Sequence, residues 1–381
     1  MKTNCPMKLI ILHSILPAYR KDFFETLSKQ LKAKDIDLTV MHGTSTFKQI
    51  NSDTNPGYSA IPMPTKEFNP FGFRLVWWKG TFRQIRQIDP DMLIILFNPG
   101  NISFWLVQLY AYFRRIKIGL WSNGSVRKEI TGVKKNVREL FLNFFLRRAK
   151  VHLCYGSRYK NELLEMGVRE SDIFVAQNTI NVEKIISFCE GKKHDATGDK
   201  INFLSVGVLI RDKNTDLSIK AVSRLIREGY NASYTIVGKG KILEELRALV
   251  IEEKMEDHIF LPGYKSDEEI TDFFFNADVF MMPGVGGLAV NEAMAYGLPI
   301  LSTVADGTIL DLLEDGRNGY YFEQYPSLEN VYDVCRKTLR KSKAELVEMG
   351  EQSRQIVKER ATLQNMVDNF EKAIVYTRDF K

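Results

Sequence analysis

The stretch Met281–Ile300 (MMPGVGGLAVNEAMAYGLPI) holds a carboxylate in a setting that supplies no cation. The apolar run from Ala277 to Met282 reads as a short buried strand, and Pro283 with Gly284, Gly286 and Gly287 breaks it into a turn. A helix then starts at about Leu288. On it Glu292 has Leu288 and Ala289 one turn before and Ala295 and Tyr296 one turn after, and no Lys or Arg follows until Arg317. A carboxylate on an apolar stripe needs hydrogen-bond donors, because burying it unpaired is costly. A ribose diol would supply two. The alternative is a Glu favoured by the helix N-terminus and left in water. The strand, glycine turn and helix in that order present free N–H groups and the positive end of a helix dipole, a setting for a phosphate.

The order PG-x-x-GL-x-x-x-EAMAYGLPI resembles the donor-sugar loop of the retaining, family-4 type glycosyltransferases of GT-B fold. In that loop one Glu precedes a second by eight residues; the second is Glu292 here, and the first falls on Gly284. The resemblance implies that Gly284, Val285, Gly286, Gly287, Leu288 and Glu292 bind the donor. Upstream, Gly207-Val-Leu-Ile-Arg-Asp-Lys213 resembles the family's G-R-L-x-x-x-K, whose two cations hold the nucleotide diphosphate. Lys213 is kept, Val208 stands at the Arg position, and Arg211 is the candidate substitute, the alternative being incidental loop charge. Gly207, Arg211 and Lys213 are thus expected at the donor, with Lys213 and Glu292 carrying the catalytic role. Gly238-Lys-Gly240 is similar to the family's G-x-G turn, and Pro262-Gly-Tyr264 to the turn beside the nucleobase. A dinucleotide fingerprint would need a third glycine at 243, where Leu stands, so a dehydrogenase is excluded. Asp306-Gly-Thr-Ile and Asp315-Gly-Arg-Asn-Gly319 match later turns of the family.

These loops need strands to carry them. Leu9–Leu12, Leu38–Met41, Met92–Leu96, Ile118–Trp121, Val151–Cys154 and Ile173–Val175 alternate with helical segments in the first half, and a new series opens at Ile201–Val206. Such a chain predicts parallel sheets with ligands outside the carboxyl ends of the strands. Tyr19 and Arg20 fall at such an end, after the first strand, and PAYRKDFF resembles the P-x-Y-R-x-x-F loop of some bacterial polysaccharide glycosyltransferases; Arg20 as a helix-start surface residue is the alternative. Leu120-Trp-Ser-Asn-Gly124 resembles the family's W-x-H-G, with Asn123 in place of the His. Asn hydrogen-bonds a hydroxyl but cannot act as a base. Tyr19, Arg20 and Asn123 are the expected acceptor-binding residues. The fold class expected is α/β of GT-B type: two Rossmann-like βαβ domains facing a central cleft, residues 1–185 and 201–363, joined by a linker at 186–200, with a C-terminal helix at 364–381 returning to the first.

The 381 residues, 44% apolar, allow two cores of ordinary size. No apolar run is long enough to span a membrane, and the N-terminal run is too short for a signal peptide. The four cysteines lack CxxC or zinc spacing, which fits a reducing compartment, the cytoplasm, and no metal. Two Asp-x-Asp triplets, Asp35–Asp37 and Asp89–Asp91, precede strands rather than follow them and are read as chance. Charge is uneven: residues 1–190 carry 28 Lys and Arg against 16 Asp and Glu, while the remainder carries 25 against 31. Arg114 to Lys150 holds eleven basic and two acidic residues, and Phe68–Arg86 interleaves aromatics with cations. No nucleic-acid-binding signature accompanies them. An anionic membrane surface or a diphosphate-linked acceptor suits the block, the alternatives being a solvated face and core packing.

The expected function is transfer of a sugar from a UDP- or GDP-linked donor to a glycan or lipid-linked saccharide in capsule or O-antigen synthesis, with retention and without cofactor or metal, in the cytoplasm or peripheral on the inner membrane face. A non-catalytic subunit of a polysaccharide assembly complex is the contrasting class, and a sugar-nucleotide epimerase a third.

Overall fold

The computed structural model describes residues 5–44, 57–69, 75–98, 100–124, 143–192, 194, 198–304 and 307–379. The chain divides into two compact units: residues 1–177 with 364–381, and residues 178–363.

In the first unit a seven-stranded parallel sheet runs in the order β3-β2-β1-β6-β7-β8-β9. Its strands are β1 Met7–His13, β2 Ile36–Gly43, β3 Ser59–Met63, β6 Met92–Leu96, β7 Lys117–Ser122, β8 Val151–Cys154 and β9 Ile173–Val175. All six strands expected from apolar runs are present; β3 (SAIPM) was hidden by its proline and weak alternation. Thr65–Phe68 (β4) pairs antiparallel with Leu75–Trp78 (β5), and Trp78 is fully buried. That stretch therefore serves partly as core. Helices α1 Lys21–Lys32, α2 Thr81–Ile88, α3 Ile102–Arg114 and α4 Ser157–Glu165 connect the strands. Five of the eleven cations of the basic block lie at 125–142, outside the described residues, as does Asp306.

The second unit is built on a six-stranded parallel sheet, β12-β11-β10-β13-β14-β15. Its strands are β10 Ile201–Val206, β11 Ala232–Val237, β12 Ile259–Gly263, β13 Val279–Met282, β14 Ile300–Ser302 and β15 Gly319–Tyr321. Alternate residues serve opposite cores: Phe203, Val279 and Met281 pack in one, Leu204, Phe280 and Met282 in the other. A sheet buried on both faces explains the unbroken apolar runs. Its helices are α5 Val182–Cys189, α6 Thr215–Arg227, α7 Leu243–Glu252, α8 Asp267–Phe275, α9 Ala289–Tyr296, α10 Leu328–Leu339 and α11 Lys343–Arg360. The boundary differs from expectation. Residues 186–189, assigned to a linker, belong to α5, whose Val182 and Cys189 are buried in the second core. Only the polar run that follows had the composition of a linker, and the apolar face of α5 needed a partner.

The C-terminal helix, Leu363–Asp379, is counted with the first unit from Gln364 onward. Phe370 packs edge-on against Trp121 and Phe23, each at 4.9 Å between ring centroids. The Tyr376 hydroxyl donates to Asp172 at 2.8 Å, and Lys117 Nζ donates to the Thr377 carbonyl at 2.7 Å.

Candidate functional site

The order of strands in the second sheet reverses between β10 and β13, and a reversal point is where a crevice opens at the carboxyl ends. The loops leaving those two strands are 207–214 and 283–288. Glycines let them touch. A Cβ on Gly284 would collide with the backbone of Asp212 and Lys213, one on Gly238 with the Gly207 carbonyl, and one on Gly240 with the Leu209 backbone. Backbone bonds hold the loops together: Val285 N–H donates to Asp212 O at 2.9 Å, Leu209 N–H to Lys239 O at 2.9 Å, and Gly238 N–H to Gly263 O at 2.9 Å. Asn214 Nδ2 donates to Pro283 O at 3.0 Å, and the buried Thr303 hydroxyl to Gly284 O at 2.9 Å. Gly207, Arg211, Lys213, Gly238, Tyr264 and Gly284 to Leu288 thus sit on loops at the carboxyl ends of four adjacent strands.

The contacts explain why Gly284 is not the Glu of the resembled pattern: the position has no room for a side chain. It shapes the site through its backbone. Lys213 is half-buried, with Nζ 3.3 Å from Met282 Sδ and close to Gly207. Val208 is exposed, so the position of the missing Arg faces solvent. Arg211 pairs with Glu245 at 2.8 Å, both side chains being well exposed. Such a pair is weak and easily exchanged for another anion. Lys239, set between Gly238 and Gly240, holds its ammonium 3.9 Å from the Tyr264 ring centroid. It adds a third cation to the cluster, after Lys213 and Arg211; the sequence signal is a charge inside a turn that otherwise needs small residues.

Glu292 occupies the first turns of α9. It is partly exposed as a residue, but its carboxyl is deeply desolvated, which raises its pKa to about 7, with Asp267 at the start of α8 adding to the rise. No hydrogen bond or ion pair to its carboxyl is found among the described residues. A carboxyl left without donors and poised near neutrality is a mark of binding and catalytic sites. Among the described residues no cluster of three His, Cys, Asp or Glu side chains could hold a metal.

In the first unit Tyr19 is exposed after β1, and Asn123 is exposed after β7, both at carboxyl ends. Arg20 corrects the expectation that it lies on an acceptor surface. It is 1% exposed, with its guanidinium 5.1 Å from the Trp121 ring centroid, 5.7 Å from that of Phe23, and Nη1 3.4 Å from Met366 Sδ. The cation is spent on the aromatic core that receives the C-terminal helix, a contact invisible without residue 366. Burial, followed by the nearby Arg20 charge, holds the His13 pKa down to about 3, so that ring is neutral.

Residues 190–356 match the family model described as Glycosyl transferases group 1. The chain is 27% identical over 242 residues to the putative colanic acid biosynthesis glycosyltransferase WcaL of Salmonella typhimurium, covering 60% of this chain and 57% of that one. It thus spans little more than half the length of that relative. Among solved structures it resembles the lipopolysaccharide outer core galactosyltransferase WaaB in its apo form (TM-score 0.70, 15% identity, 97% and 99% of the two chains). It also resembles Anabaena HepE in complex with UDP and glucose (TM-score 0.68, 13% identity, 97% and 99%). At such identities the likeness shows the fold: two Rossmann-like parallel sheets of GT-B type.

Proposed function

We propose that this chain, which carries a group 1 glycosyltransferase domain over residues 190–356, transfers a sugar from a UDP- or GDP-linked donor to a glycan or lipid-linked saccharide in surface polysaccharide synthesis. One observation carries the reading: a partnerless carboxyl, Glu292, stands on the helix that leaves the same glycine-packed loop cluster as Lys213. In this reading the Glu292 carboxyl takes the ribose diol. Lys213 and the N–H groups around the start of α9 take the diphosphate, Lys239 assists, and the exposed Tyr264 face lies by the base. The donor sugar is oriented by the backbone of Val285 to Leu288, since Gly284 offers no carboxylate. That favours a sugar with fewer hydroxyls to recognise, such as a deoxyhexose.

Transfer proceeds with retention by same-face displacement, in which the departing diphosphate, stabilised by Lys213, accepts the proton of the acceptor hydroxyl. Tyr19 and Asn123 contribute to the acceptor surface. The relatives fit this reading: one is named for colanic acid biosynthesis, and one neighbour's structure contains UDP with glucose. The protein acts in the cytoplasm or on the inner membrane face.

The contrasting reading, a non-catalytic assembly subunit, draws on the replacement of three expected polar positions by Gly284, Val208 and Asn123. Turnover of nucleotide sugars by the purified protein separates the two. The donor site itself is tested by titrating UDP and GDP with a chelator present. Saturable binding is expected to persist, because Lys213, Lys239 and helix-end dipoles neutralise the diphosphate. Loss of binding on chelation would overturn this charge assignment.

A further inference from the structure

A cavity of about 690 Å³ in the first unit belongs to none of the loops discussed so far. It lies at the amino ends of strands, whereas Tyr19 and Asn123 lie at carboxyl ends. Lys117 opens β7, Lys150 immediately precedes β8, and Asp172 immediately precedes β9; all three line it. Its described lining includes six Lys and Arg side chains against one carboxylate, Asp172. That carboxylate is already engaged by Arg169 and by the Tyr376 hydroxyl, each at 2.8 Å.

Two polar side chains in the lining are almost wholly buried. Gln108 is 2% exposed; its Nε2 donates to the Phe104 carbonyl at 3.3 Å, while Oε1 has no partner. His152 is 1% exposed, and neither ring nitrogen has a partner at hydrogen-bonding geometry. The Leu146 carbonyl and Asp172 lie near enough only to offset part of the desolvation, so the ring stays neutral at physiological pH and offers one donor and one acceptor. Aromatic rings stand at the rim. Tyr112 and Phe144 line the cavity and are partly exposed, and the neighbouring Phe113 is 74% exposed. The Arg148 guanidinium sits 3.6 Å from the Phe144 ring centroid and 4.9 Å from that of Tyr112.

Cations alone would suit any anion, and rings alone any apolar group. A wall that also buries two polar side chains short of partners needs a ligand with hydroxyls as well as charge. We propose that this cavity binds a phosphate ester bearing free hydroxyls, its phosphoryl group held by Arg147 and Arg148 and its hydroxyls by Gln108 Oε1 and His152. The ester is either the headgroup of an anionic phospholipid, in which case Phe113 and Tyr112 enter the bilayer interface, or a soluble polyol phosphate. The proposal stands apart from the glycosyl-transfer reading, since it uses no residue of the donor cluster.

The test uses the full chain, the variants Gln108→Leu and Arg147→Glu, and two kinds of probe. In calorimetric titration glycerol 3-phosphate is expected to bind more tightly than inorganic phosphate or glycerol, with about tenfold weakening in Gln108→Leu and loss of binding in Arg147→Glu. Flotation on phosphatidylglycerol against phosphatidylcholine vesicles then assigns the source. Flotation lowered by both variants makes the ligand a lipid headgroup; flotation indifferent to both, with glycerol 3-phosphate binding still sensitive, makes it a soluble ester. Glycerol 3-phosphate binding no tighter than inorganic phosphate, or equal to wild type in both variants, would overturn the site. Flotation lowered by Arg147→Glu alone, with no saturable glycerol 3-phosphate binding, would also overturn it, leaving only diffuse surface charge. Arg147 is exposed, so its variant decides the matter if Gln108→Leu fails to fold.

Discussion

Glu292 departs most clearly from ordinary ionisation among the residues of the donor cluster. Its pKa lies near 7 in the folded chain against about 4.5 when unfolded, so the folded state holds the extra proton between those values. Its contribution to stability is therefore complete below about pH 4.5 and is lost as pH rises through 7. Glu292→Gln is expected to raise the melting temperature at pH 8, by roughly 2 kcal/mol of stability, with the gain vanishing near pH 5. The same variant should weaken UDP or GDP binding by roughly 2 kcal/mol, because hydrogen bonds to a charged group are lost. Calorimetry and titration at two pH values check both; a variant that binds nucleotide normally would remove the ribose role. Gly284 differs in kind, acting through the absence of a side chain. Gly284→Ala places a methyl against the Asp212–Lys213 backbone, which must yield, and should cost about 1–3 kcal/mol in chemical denaturation. Unchanged stability would mean that the two loops do not meet as described.

At the scale of elements, the C-terminal helix is the segment whose removal is most informative. Met366, Val367, Phe370 and Ile374 are fully buried, and the helix also covers Trp121 and Phe23. Burial of four such side chains contributes on the order of 6–12 kcal/mol as an upper bound, comparable with the whole stability of a domain. A chain ending at Leu363 should therefore lose the folding transition of its first unit and keep that of the second. Scanning calorimetry distinguishes this from retention of both transitions, which would show the helix to be dispensable.

For the molecule as a whole, the two units should respond oppositely to pH. His13 and His152, both in the first unit, are buried neutral with pKa values pushed down to about 3 and about 4, in each case chiefly by desolvation. Unfolding restores values near 6.5, so the unfolded state binds more protons, and stability present above pH 6.5 is lost as pH falls toward 4. By pH 4.5 the loss should reach roughly 2–3 kcal/mol for each ring. The second unit loses the Glu292 contribution in the other direction, as pH rises. Thermal scans from pH 8 to pH 4.5 should show the first unit weakening on acidification, and His152→Gln should flatten that slope; a slope unchanged by the substitution would refute the assignment.

The sequence by itself determined the alternating strand-helix order, the two parallel sheets and the loops at the carboxyl ends of β10, β11 and β13. Each rests on a local signal: an apolar run long enough for a doubly covered strand, a glycine turn, or a helix start. Glu292 was legible for the same reason, since its apolar neighbours and the lack of a cation lie within one helix. Tertiary structure decided what depends on distant partners. Arg20 reads as a loop cation until Met366 and Trp121, far away in sequence, enclose it. Gly284 reads as a missing Glu until the 207–214 loop is seen pressed against it. The end of the first unit at Gln177 was hidden because α5 carries an apolar face whose partner, α9, lies about a hundred residues further on. The cavity around Gln108 and His152 was legible only as charge: the basic block Arg114–Lys150 supplies five of its six cations, but the fold alone brings that block against Gln108 of α3, His152 of β8 and the 167–172 segment.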